Sequence, residues 1–513
     1  MYLLGKIIKT GIRLGATREE TLLSPIAQQR HQLRRLLLEA RDTAIGNTYG
    51  FHDILTTRDL IRAFQEHVPI HDYDRIYNQW WSRARADEMD VAWPGQIPWF
   101  AVSSGTSGAA SKYIPVTAEM IRAMKKVSRR MFCDLSKFDL SPDQFTRQML
   151  MVGSCTQLTH EGDHFVGDMS GIIGMNRPFW LERYYRPGKH ITDLPEWDAR
   201  IDKIAEEAPQ WDIGFIVGNV AWVQLIFERI IERHGLRHIH EIWPNFRFLT
   251  HGGIFFEPYR VTFEQLIGRA VKYMDSYMAS EGFIGYQTRP ESRDLKLLTD
   301  CRLFYEFVPF DDQNFDENGD LLPGARAFAI DQIEADQEYA ILLTTPSGAW
   351  RYLLGDTVKF TDLARLEFKV TGRVKHYLSV VGEHLSIDNM NEAIRLTDLE
   401  LGVGIKEFAV MAVPNGTHWA HQWFISADHP EMHNAVQMAS VLDRHLQRIN
   451  DDYCVERRYA LQEVRVELLP HEFFYRWLDS QGKMNGQAKV PRVLKGVTQE
   501  NFSQFLRNEL RIL

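Results

Sequence analysis

The run Ser103-Ser104-Gly105-Thr106-Ser107-Gly108-Ala109-Ala110-Ser111-Lys112 gathers hydroxyls, glycines and one lysine between two strand-like segments. Trp99-Phe100-Ala101-Val102 precedes it and Ile114-Pro115-Val116 follows, with Thr117 suited to cap the next helix. Such a loop brings backbone N–H groups, hydroxyls and an ammonium to a polyphosphate. Glycine permits close backbone approach, the hydroxyls donate, and lysine adds a point charge. It is not a Walker A loop, because no glycine stands before Lys112. It also misses the nucleophile-elbow pattern, since Ala109 occupies the place of the second glycine. The same composition suits a flexible surface turn, so the loop alone does not decide the chemistry.

Three further groups carry suitable chemistry. Tyr277-Met278-Ala279-Ser280-Glu281-Gly282 stands at a strand end. There an aromatic ring can stack on a purine, and a carboxylate can hold Mg²⁺, a hard cation that binds oxygen beside phosphates. Arg351-Tyr352-Leu353-Leu354-Gly355-Asp356 runs from a strand into a turn, where Asp356 can accept both hydrogen bonds of a ribose diol. Gly486-Gln487-Ala488-Lys489 offers a second lysine on a glycine-containing loop. Taken singly, Glu281 and Asp356 also suit ordinary surface carboxylates, Tyr277 a packed ring and Lys489 a solvated lysine. The histidine pairs His238/His240 and His429/His433 do not form H-E-x-x-H and read as structural or exposed.

The elements that must position these groups are mixed. Ser24-Pro25 opens a helix whose face Ile26, Leu33, Leu37, Ala40 and Ala44 recurs at helical spacing up to Gly46. Tyr77, Trp80 and Trp81 read as core or interface packing. Strands are predicted at 149–153, 246–250 leading into His251-Gly252-Gly253, and 276–279, with helices over 220–234 and 261–274. This alternation predicts a mainly parallel sheet covered on both faces. Segments 339–345 and 350–360 read as a hairpin turning at Pro346-Ser347-Gly348. Thr371-Gly372-Arg373-Val374-Lys375 reads as a boundary. Beyond it, strands at 408–413, 423–425 and 464–469 and a helix over 430–449 suit a small α+β domain.

A chain of 513 residues with 44% hydrophobic and 25% charged residues reads as a globular protein of two or three domains. A net charge of −9 disfavours a general nucleic-acid binder. The four cysteines form no CxxC pair, which fits free thiols in a reducing cytoplasm. No apolar run reaches the length of a membrane span, and the N-terminus does not read as a signal peptide.

Together and in this order, the motifs resemble those of the auxin-responsive acyl-acid amido synthetase family, a branch of the acyl-adenylate-forming enzymes. The resemblance extends over nearly the whole chain and includes Val68-Pro69-Ile70-His71-Asp72-Tyr73. Two positions depart from the family pattern. Ala279 replaces a serine, and a leucine follows Tyr352 where the family usually has arginine, which leaves open whether Arg351 substitutes. The resemblance implies an α/β fold, with a large adenylate-forming domain over 1–375 and a smaller, mobile α+β domain over 376–513. It implies ATP and Mg²⁺ as cofactors, and a small carboxylic acid and an amino acid as substrates. Ser103, Ser104, Gly105, Thr106, Ser107, Gly252, Gly253, Tyr277, Ser280, Asp356 and Arg373 would bind nucleotide, and Glu281 the metal. Lys112 and Lys489 would be catalytic. An acyl-CoA ligase with the same first half-reaction, and a non-catalytic binding relative, are the competing readings.

Overall fold

A computed structural model describes residues 5–7, 9–12, 23–103, 112–153, 156–177, 179–253, 256, 260–316, 319–374, 377–378, 380–383, 385–427, 429–481 and 490–510. The chain divides into two compact units, the second beginning after Val374.

In the first unit, β1 (Trp99–Ser103), β2 (Lys112–Val116), β4 (Thr159–Glu161) and β5 (His164–Gly167) form a four-stranded sheet. A second sheet has eleven strands. Its first half holds β3 (Gln148–Met151), β6 (Tyr185–Arg186), β7 (Ile213–Asn219), β8 (Phe248–Gly252) and β9 (Lys272–Ala279), all parallel in the order 9-8-7-3-6. Its second half holds β10 (Gly282–Tyr286), β11 (Leu295–Leu297), β12 (Phe304–Pro309), β13 (Glu338–Thr344), β14 (Tyr352–Asp362) and β15 (Glu367–Arg373), every pair antiparallel. The expected mainly parallel sheet is therefore corrected to a mixed one. Among the described residues from Lys272 to Arg373 no helix separates the strands, and links as short as Ser280-Glu281 can only return the chain antiparallel.

Three helix boundaries also differ from expectation. The helix expected over 24–46 stops at Ala40, and a new one runs Ala44–Thr48 under a Thr43 cap. Gly46 lies inside that second helix, where an added Cβ would fall 2.2 Å from Ala40 O. The helix expected over 261–274 spans Arg260–Ile267; Gly268 ends it at φ +85°, leaving Lys272–Ala279 to pair with β8. In the second unit, Pro430–Met432 forms only a 3₁₀ turn, and Asn434 caps the helix Ala435–Ile449. The side-chain oxygen of Asn434 accepts from Val436 and Gln437 N–H groups, so the cap and not the proline sets the start.

One large apolar core joins the N-terminal helices to both sheets, with Leu33, Phe64, Trp81, Tyr286, Trp350 and Phe368 inaccessible to solvent. The second unit carries a three-stranded sheet of β18 (Phe408–Asn415), β19 (His418–Ala427) and β20 (Leu461–Pro470), preceded by the short β16 (Tyr377–Leu378) and β17 (Leu385–Ser386). Its core is built around Phe424, Phe473, Trp477 and Phe502. Among the described residues no helix is long and apolar enough to cross a membrane.

Candidate functional site

Glu281 is the second residue of the tight β9–β10 turn, with Ser280 the first, because Ala279 pairs directly with Gly282. The turn holds the Glu281 carboxyl in a buried position, 7% exposed. Burial raises its pKa above the ordinary glutamate range, while the Lys112 ammonium and a hydrogen bond from the Tyr352 hydroxyl favour the charged form and offset part of the shift. Lys112 opens β2, and its Nζ sits 5.1 Å from the Tyr73 ring centroid. The Tyr73 hydroxyl in turn accepts the Tyr113 N–H at 2.8 Å.

Asp356 is presented by a bulge. Leu342 pairs with Leu353 and Ala340 with Thr357, so β14 carries extra residues here, and Gly355 adopts φ +93°. Bulges of this kind re-aim side chains. The Asp356 carboxylate accepts from the Tyr277 hydroxyl on Oδ2 and lies 2.8 Å from Arg373 Nε on Oδ1. Tyr277 stands two residues before the end of β9, its phenol pushed well above its ordinary pKa by burial and by Asp356. Lys112, Tyr277, Glu281, Asp356 and Arg373 thus form one electrostatic cluster.

Gly252 ends β8 opposite Ser276, where an added Cβ would lie 2.4 Å from Ser276 O; Gly253 follows at φ +88°. The glycines let the backbone pass closely beside β9, next to Tyr277. Of Ser103 only the backbone is described; Ser104, Gly105, Thr106, Ser107 and Lys489 lie outside the described residues.

Several contributors were not singled out from sequence. Tyr352 and Tyr73 sit against Glu281 and Lys112. His71 bonds the Arg351 O and Leu353 N–H groups of the β14 start, which brings Tyr73 to this place. Beside the end of β8, His251 Nδ1 lies 3.4 Å from Oδ1 of its β9 neighbour Asp275. Burial raises the Asp275 pKa to about 7. An acidic residue two positions before Tyr277, on the same strand face, was the available signal. The open question of Arg351 resolves differently: its guanidinium is buried and pairs with Glu306 at 3.0 Å, donating also to Gln65 O and Val68 O. His240 is likewise structural, bonded to Ile267 O and Phe246 O.

The described residues contain no group of three or more metal-ligating side chains. Glu281, with Asp356 in the same cluster, offers the hard carboxylate oxygen that Mg²⁺ takes while phosphates and waters fill its other positions.

The fold is shared with acyl-adenylate-forming enzymes. A GH3.15 acyl acid amido synthetase structure aligns with a TM-score of 0.58 at 15% identity, covering 94% of this chain and 93% of that one. A 2-hydroxyisobutyryl-CoA ligase complex aligns at 0.57 and 13% identity, covering 96% and 94%. The chain belongs to the GH3 family: residues 17–193, 296–373 and 388–497 match its N-terminal, central and C-terminal domains. A probable indole-3-acetic acid-amido synthetase GH3.6 of Oryza sativa subsp. japonica is 32% identical over 27% of this chain and 30% of its own length. Jasmonoyl-L-amino acid synthetase JAR4 of Nicotiana attenuata is 31% identical over 26% and 22%. The chain spans less than half the length of the curated relatives it matches.

Proposed function

We propose that this chain is an ATP-dependent acyl-acid amido synthetase. Its carboxylic acid substrate attacks the α-phosphorus of ATP through a carboxylate oxygen, and pyrophosphate leaves. The amine nitrogen of an amino acid then attacks the acyl carbon of the adenylate; AMP leaves with the bonding electrons and the amine gives up a proton. The observation that carries this reading is the cluster of Lys112, Glu281, Tyr277, Asp356 and Arg373, built from four strands and the β9–β10 turn of one unit.

The roles follow from charge. Negative charge grows on phosphate oxygens during adenylation, and preorganised donors lower that cost. Lys112 and the Ser103–Ser107 backbone and hydroxyls supply them. Mg²⁺, when bound, neutralises phosphate charge, and Glu281 is the carboxylate to hold it. Asp356 accepts from the ribose diol, Arg373 orients Asp356, and Tyr277 together with Gly252-Gly253 bounds the adenine. Lys489, in a smaller domain over 376–513, contributes a second cation to adenylation.

ATP–pyrophosphate exchange with a panel of carboxylic acids and no amine tests the first step. Acid-dependent exchange, followed by an amide product when an amino acid is added, is the expected result. Exchange followed by thioester and no amide when coenzyme A competes with amino acids would make it an acyl-CoA ligase. No exchange with any acid, in folded protein that binds ATP, would leave the non-catalytic reading.

A further inference from the structure

Arg177 follows the helix Met169–Met175, where its N–H bonds Gly174 O at 3.2 Å. Its guanidinium carbon lies 4.6 Å from the centre of the Tyr185 ring. Among the described residues no ion pair or side-chain hydrogen bond engages that guanidinium, although the residue is half-buried. Burial pushes its pKa below the ordinary arginine range, and the exposed Glu182 offsets this only in part. The guanidinium nitrogens keep contact with solvent, so an incoming anion can reach them.

The surroundings leave an approach open. Arg177 Nη2 lies near Gly174, within ordinary contact (3.9 Å) of where a Cβ would stand, and the close neighbour there is Thr156 Cγ2 at 2.8 Å. The nearby Asp193 carboxylate is taken by the Thr156 hydroxyl, which also lies 3.2 Å from the Thr192 hydroxyl. The helix starts just after β5, whose Gly167 pairs with Ala101 of β1. It therefore begins beside the strand that runs into Ser103. The seven-residue helix spans roughly 10 Å, and Arg177 lies two residues past its end. Tyr185 belongs to β6, the outer strand of the parallel half in which Gly252 stands at the carboxyl end of β8. Ligands of open α/β sheets bind outside such strand ends.

We infer that Arg177 receives the α-carboxylate of the amino acid acceptor, its fork forming paired N–H···O bonds while Tyr185 covers one guanidinium face. This rests on the amide-forming reading above. A second anionic group on the acyl acid would present the same chemistry, and the experiment separates the two sources.

Full-length wild-type, R177A and R177K proteins are compared with the acid that gives the fastest wild-type exchange. Three rates are read: pyrophosphate exchange without amine, amide formation with the best amino acid varied, and amide formation with that amino acid's carboxamide. The expected result is exchange within about twofold of wild type. For R177A the KM for the amino acid rises about tenfold to a hundredfold, in line with loss of charged hydrogen bonds. R177K falls between, and the wild-type preference for amino acid over carboxamide disappears in R177A. An unchanged amino acid KM overturns the inference. So does a rise in the acid's KM during exchange, which assigns Arg177 to the acyl substrate instead. If R177A does not fold, wild type and R177K decide: equal wild-type use of amino acid and carboxamide overturns the inference. Absence of exchange with every acid removes the amide-forming reading, and this inference with it.

Discussion

Arg373 and Asp356 stand opposite one another in the β14–β15 ladder, with Arg373 Nε 2.8 Å from the Asp356 carboxylate. The second carboxylate oxygen accepts from Tyr277. Asp356 is therefore held from two sides, with lone pairs left for a ribose diol. Replacing it by asparagine turns an NH₂ group toward Tyr277 or Arg373, and one of them loses its acceptor. Asp356→Asn is expected to weaken ATP binding about tenfold or more, since hydrogen bonds to charged groups are worth about 1.5–3 kcal/mol. Calorimetric ATP titration of folded variant protein measures this; unchanged affinity would remove Asp356 from the nucleotide site.

Glu281 sets function against stability. Its folded pKa is raised by burial, so its contribution to stability is fully present below the ordinary glutamate range and is lost as pH rises through the raised value. Glutamine carries no such charge. Glu281→Gln is expected to raise the melting midpoint by roughly 1–3 °C at neutral pH, with the gain vanishing in acid. The same variant should lose Mg²⁺-dependent exchange. A melting midpoint that falls at neutral pH would show that the buried carboxylate stabilises the turn.

Much of this arrangement was legible in the sequence, and the limits have local causes. The β9–β10 turn, the β8 end and the Gly355 bend are short and carry their own punctuation in glycine, serine and alternating apolar residues. Sheet direction was legible only in part: the β13–β14 hairpin carries its turn signal at Pro346-Ser347-Gly348, whereas the other reversals after Lys272 do not stand out from the strand–helix alternation before them. The apolar stretch after Gly268 satisfies helical spacing as well as strand pairing, and only the left-handed glycine and the β8 edge decide between them. Tyr73 and Tyr352 were invisible as partners of Lys112 and Glu281, since those contacts join segments far apart in the chain.

Asp275 is a second carboxyl with a raised pKa, about 7, although its side chain is only half-buried. The stability associated with it is full below the usual aspartate range and declines as pH rises through 7. The difference in melting midpoint between Asp275→Asn and wild type should therefore grow from about pH 4 to pH 7 and level off above it. Thermal melts across this range test it. A difference independent of pH would mean that Asp275 is already ionised at the acid end, held so by His251 at 3.4 Å.

Arg351 shows how a residue beside a functional motif can serve the fold alone. It takes a left-handed backbone at φ +45°, with its guanidinium enclosed between Glu306, Gln65 O and Val68 O. The two partners are 7% and 1% exposed, so removing one leaves the other as an uncompensated buried charge. Arg351→Met is expected to cost about 3–5 kcal/mol, whereas the double change with Glu306→Leu should recover much of that loss by removing the stranded carboxylate. Urea denaturation of the single and double variants measures both values. The contacts to Gln65 and Val68 tie the helical segment before His71 to β14, and that segment carries Tyr73 to Lys112. Arg351→Met protein that remains folded should therefore show weaker acid-dependent exchange than the melting shift alone accounts for. Full exchange activity in that variant would show that Lys112 is placed by β2 without help from Tyr73.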